Sequence, residues 1–87
     1  MTRYSIEGNI VKIITENIEE IMIRIFDEKF LVDKGGNELT IINQNDSLTI
    51  SHKDTIVFKM NRIASNVYTI FDESKNLYTI ELPHMHI

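Results

Sequence analysis

The eighteen residues from Asn9 to Phe26, NIVKIITENIEEIMIRIF, constrain the fold more than any other stretch of the chain. On a helix that advances about 100° per residue, Ile10, Ile14, Ile18, Ile21 and Ile25 share one stripe. Val11, Ile13, Met22 and Phe26 widen it. Lys12, Glu16, Glu19, Glu20, Arg24 and Asp27 fall on the opposite side, with Ile23 the one apolar residue among them. The competing pattern is a pair of strands. Isoleucine is β-branched and favours strands, and Ile21, Ile23 and Ile25 alternate. That pairing requires a chain reversal near Glu16, where TENIEE offers helix formers and no turn dipeptide. The stretch therefore predicts an amphipathic helix over 9–26. It ends near Asp27, because Glu28 would fall in the middle of the stripe.

Beyond Asp27 the spacing changes to that of a meander. Lys34-Gly35-Gly36 is a strong turn signal, expected to join a strand at Phe30–Asp33 to one at 38–43. NQND, SHKD and DESKN are further turns, and NRIASN is a longer link. SLTIS, TIVFKM, VYTIF and LYTIEL alternate as half-buried strands do. Pro83 ends the last one because it has no N–H to give. One apolar face is expected from Ile41, Leu48, Ile50, Ile56, Phe58, Met60, Tyr68, Ile70, Tyr78, Ile80 and Leu82. The expected fold class is α+β: one N-terminal amphipathic helix packed on a five- to six-stranded antiparallel meander sheet, as one domain over residues 1–87. An all-β small barrel is the alternative.

The chain is short, so its core is modest and its stability small. It has no cysteine, which removes disulfides and thiolate metal sites. No apolar run approaches the roughly 18 residues of a membrane span. MTRYSIEG lacks the order of a signal peptide, so a cytoplasmic location is expected. The net charge is −4, spread evenly: residues 1–34 hold five Lys/Arg against seven Asp/Glu, the remainder four against six. Independent nucleic-acid binding needs a basic patch that this balance does not predict. The abundance of Ile, Asn and Lys is that of an AT-rich coding sequence, as in low-GC bacteria and their phages.

Candidate chemistry is sparse. His84 and His86 form H-x-H, with imidazoles about 7 Å apart on an extended chain. A metal site needs three or four ligands, and only His52 or Glu81 is on offer as a third, so no metal and no cofactor are expected. Ser51, His52 and Asp54 are too close in sequence for a triad, whose members converge from separate elements. No acid–base pair can be placed, so no enzyme is expected. Glu16, Glu19, Glu20 and Asp27, with Ile23 exposed among them, form the expected protein-contact surface on the outer helix face. Val57, Val67 and Phe71 form the expected dimer face on the second side of the sheet. The leading expectation is a small acidic protein-binding module, an inhibitor or accessory factor of a phage or mobile element. The alternatives are a self-assembling structural protein, dimeric through that second face, and a small-molecule binder with a pocket between helix and sheet.

Overall fold

Nine antiparallel strands form among the described residues. The structure is a computed structural model that describes residues 3–16, 18–72 and 77–83. Arg3–Glu7 (β1), Ile10–Thr15 (β2), Ile18–Phe26 (β3) and Lys29–Asp33 (β4) form one sheet in the order β1-β2-β3-β4. Thr40–Gln44 (β5), Ser47–His52 (β6), Thr55–Ala64 (β7), Val67–Asp72 (β8) and Leu77–Glu81 (β9) form the second, in the order β5-β6-β7-β8-β9. Both are pure meanders. No helix occurs among the described residues, and none is long and apolar enough to cross a membrane. The expected α+β fold is therefore corrected to all-β. The small barrel is not formed either, because no ladder joins β4 to β5 or β9 to β1.

The 9–26 stretch contains two strands, with the chain reversed between Thr15 and Ile18, which pair with each other. Its helical spacing has a specific cause. Between the pairs Ile13↔Ile21 and Thr15↔Ile18, β3 has two residues where β2 has one. That extra residue is a β-bulge at Glu19–Glu20. It puts Ile18 and Ile21 on the same inward face at a separation of three, which strand alternation forbids and a helix requires. Ile23 follows inward and is fully buried, whereas Ile14 is 50% exposed. The helix reading had placed these two the other way round.

Two-residue loops connect most neighbouring strands. Asp27 and Glu28, with φ of 52° and 61°, and Lys53 and Asp54, with 50° and 65°, close tight hairpins. Positive φ at both central residues is the turn whose twist matches that of the strands. Asp27 and Asp54 are of a type that tolerates this conformation, and Glu28 and Lys53 adopt it beside them, so both turns form with no glycine. The expected long link NRIASN is mostly strand, with only Ser65 and Asn66 in the turn. The expected loop at residues 73–76 lies outside the described residues.

The two sheets face each other over one core. Val11, Ile13, Ile21 and Ile23 come from the first, and Ile50, Phe58, Met60 and Ile70 from the second. Phe30 meets Tyr68 across the interface edge-to-face, with ring centroids 5.8 Å apart. The link between the sheets, residues 34–39, docks on the β3 bulge. Asn37 accepts a hydrogen bond from the Glu19 N–H (2.9 Å) and donates one to the Glu19 carbonyl (3.1 Å). Its side-chain amide thus completes the ladder that the bulge interrupts. The glycine turn therefore joins two sheets; β4 pairs with β3 and not, as expected, with the strand after the turn.

Candidate functional site

Alternation sends every second residue of the four-stranded sheet outward. On that outer face Arg3 pairs with Ile14, Lys12 with Met22, Arg24 with both Ile10 and Leu31, and Lys29 with Phe26. Each apolar side chain thus stands opposite a base. Diagonal neighbours make the apolar residues contiguous, from Ile14 through Met22 to Leu31 and Phe26. Ile14, Phe26 and Leu31 remain half exposed, at 50%, 54% and 51%. A shallow depression of about 230 Å³ opens between Met22, Arg24, Leu31, Val32 and Asp33. Glu7 and Asp33 stand at the margins, Glu7 within 3.8 Å of Lys12. Four of the nine cations of an acidic chain thus share one sheet face with three half-exposed large apolar side chains, Ile14, Phe26 and Leu31.

The outer face of the five-stranded sheet differs in kind. One row across it reads Gln44, Ser47, Asn61, Thr69, Thr79, and the next Ile42, Thr49, Lys59, Phe71, Leu77. Hydroxyls and amides dominate, and charge is nearly absent.

The expected contact residues do not form one surface. Glu16 lies in the β2–β3 connection and Asp27 in the β3–β4 turn, at opposite ends of the nine-residue β3. Glu19 and Glu20 belong to the bulge between those ends. Ile23 is in the core, so its expected exposure is corrected. On the expected dimer face, Val67 and Phe71 do point outward and are half-buried. Val57 does not: β7 has one residue, Val57, between Phe58 and Ile56 where β6 has none between Ile50 and Ser51. The resulting bulge turns Val57 inward to 6% exposure and Ile56 outward to 44%. With no helix, the expected pocket between helix and sheet is absent from the described residues.

Two polar clusters tie the sheets together at opposite rims. At the first, Arg62 donates to Asp46 at 3.0 Å and lies 3.4 Å from Glu28, so a β7 guanidinium bridges hairpins of both sheets. At the second, Tyr4 packs edge-to-face on Tyr78 at 5.4 Å and on Phe58 at 6.5 Å, beside buried Asp72. Burial raises the Tyr4 hydroxyl well above the ordinary tyrosine range, aided by its hydrogen bond with Tyr78 and by the charges of Tyr78 and Asp72. Burial also raises Tyr68. A group that holds its proton more tightly when folded contributes stability below its unfolded pKa and loses it above. Stability is thus expected to fall as the pH rises past about 10, where unfolded tyrosines ionise. Urea melts at increasing pH should show this decline for the wild type and a smaller one for Tyr68→Phe. A decline identical in both would remove the Tyr68 contribution.

Among the described residues no three His, Cys, Asp or Glu side chains converge as metal ligands. His52 ends β6 beside the 53–54 turn, and Glu81 pairs with Val67 at the other rim, so these two are apart. His84 and His86 lie outside the described residues. No protein family, curated protein or solved structure matches the chain.

Helical reading of 9–26 hid the basic–apolar face, because it separated Lys12 and Arg24 from Ile10, Ile14 and Met22. The available signal was Arg24, Phe26, Lys29 and Leu31, which fall on one face only if residues 27–28 form a hairpin turn.

Proposed function

We propose that the protein is a binding module that docks an acidic, partly apolar protein segment on the outer face of its four-stranded sheet. The observation that carries this reading is the contiguous half-exposed run Ile14–Met22–Leu31–Phe26 with Arg3, Lys12, Arg24 and Lys29 set between its members. Contiguous exposed apolar surface rimmed by polar residues marks contact sites, whereas singly scattered apolar residues do not. Met, Phe and Arg are residue types enriched at interfaces. The bases steer a negatively charged partner and the apolar side chains hold it.

The test is retention of a partner from cell extract by three immobilised proteins: wild type, Leu31→Glu, and Thr69→Glu on the opposite face. A protein held by the wild type and Thr69→Glu and lost by Leu31→Glu supports the site. Equal retention by all three, with each variant folded by circular dichroism, would sink it.

A further inference from the structure

Two open sheets present four edge strands, and unpaired edges invite another strand to add. Three of them carry the usual protection. β1 holds Arg3 and Glu7, β4 holds Lys29 and Asp33, and β9 ends on Glu81 just before Pro83. β5 has none. Its five residues, Thr40-Ile41-Ile42-Asn43-Gln44, contain no charge and no proline. Four of the five are exposed, including Ile42 at 49%. The strand is fully laddered to β6 on one side. On the other side no backbone hydrogen bond leaves it among the described residues, and its link to β4 is the Asn43 side-chain bond to the Phe30 carbonyl at 2.7 Å.

We propose that β5 is a pairing edge for a second copy of this chain, joined antiparallel about a two-fold axis at Ile42. The strand is suited to its own copy in three respects. It has an odd number of residues, so an axis through Ile42 pairs all five: Thr40 with the partner's Gln44, Ile41 with the partner's Asn43, and Ile42 with its own equivalent. This register holds whichever alternate residues direct their N–H and C=O groups outward, because an antiparallel two-fold can pass through either kind of pair. Second, β5 brings no charge to the contact, so no ionised side chain has to be desolvated when the two edges meet. Copies with a net charge of −4 repel elsewhere, so an uncharged edge is the approach that costs least. Third, the outward row Ile42–Thr49–Lys59–Phe71–Leu77 would run on across the axis into the same row reversed. The two Ile42 side chains then cover each other at its centre. The pairing uses the edge of the second sheet and leaves the outer face of the first free for the partner proposed above.

The chain has no cysteine, so a single introduced one is a clean probe. Residues directly opposite across antiparallel strands have Cβ atoms about 4.5–5.5 Å apart, which a small local shift brings to the roughly 3.5–4.5 Å of a disulfide. Ile42→Cys is expected to give a disulfide-linked dimer under mild oxidation, and Leu31→Cys on the other sheet is not. Sedimentation velocity should show wild-type dimer growing with concentration, and Ile42→Lys and Ile42→Asp each monomeric at the same concentrations. An equimolar mixture of the two charge variants should recover a dimer, because opposite charges then meet at the axis. Ile42 points to solvent, so both variants should keep the wild-type circular dichroism. A wild type monomeric at every concentration overturns the proposal. So does a dimer that Ile42→Lys leaves intact, or a dimer lost by Leu31→Glu and kept by Ile42→Lys.

Discussion

Replacing Ile23 by alanine is expected to lower the unfolding free energy by about 3 kcal/mol, the ordinary cost of truncating a buried isoleucine. Ile14→Ala should stay within about 0.5 kcal/mol, as surface changes do. The two residues lie on adjacent strands nine positions apart. Ile23 is fully buried and Ile14 is half exposed, so the first variant leaves a cavity and the second removes a methylated surface. A chain of 87 residues has a total stability on the order of 4–13 kcal/mol. The loss at Ile23 is therefore a large fraction of it, and the melting temperature should fall by roughly 12–24 °C. Urea and thermal melts of both variants measure this. The amphipathic helix makes the opposite forecast, with Ile14 in its buried stripe and Ile23 on its polar side. Equal losses at the two positions would remove the strand register that puts one inward and one outward.

Gly35→Ala is expected to cost about 3 kcal/mol, for two reasons that add. At φ of +62° any side chain is strained, by about 1–2 kcal/mol. A Cβ at this position would also lie 2.5 Å from the Glu20 carbonyl oxygen. That oxygen is backbone in the β3 bulge and cannot swing aside, so the link between the sheets must lift. Lifting it breaks the pair of Asn37 hydrogen bonds to Glu19, worth about 1 kcal/mol each. Gly36 separates the two contributions. Its φ is +85° but nothing lies within 4 Å of its Cβ position, so Gly36→Ala should show the backbone strain alone. Hydrogen exchange at the Glu19 amide is the local readout. It should quicken in Gly35→Ala and stay slow in Gly36→Ala. Equal destabilisation by the two variants, with Glu19 protection unchanged, would remove the docked link.

The second sheet was largely legible before any coordinates. Leu48 and Ile50, then Phe58 and Met60, then Tyr68 and Ile70 alternate without interruption, and all six are buried. Turn formers at 45–46 and 53–54 stand where the chain reverses. Reading failed where a bulge adds one residue and shifts the phase of everything after it. The bulge at Val57 moved Ile56 out of the apolar face. The bulge at Glu19–Glu20 did more, because it produced spacings of three and four in a segment that is strand throughout. The sequence between Thr15 and Ile18 holds neither glycine nor proline, so nothing marked a reversal there. A hairpin is favoured by the twist of paired strands, and that twist exists only once the strands have met.

The candidate surfaces divide in the same way. The basic–apolar face is assembled from residues of four strands, and only the register between them sets each base opposite an apolar neighbour. The uncharged β5 segment, by contrast, is continuous in sequence; what the fold added was its place at an edge.

The sequence by itself determined that the chain lacks thiols and carries a modest negative charge. It also determined the strands β6 to β9 of the second meander, whose faces alternate except at bulges, because alternation is local and a strand needs only its own side chains to declare it. Tertiary structure alone decided that 9–26 is a hairpin. Burial of Ile23 against the second sheet outweighs a local helical pattern, since packing energy comes from contacts between segments and periodicity describes one segment at a time.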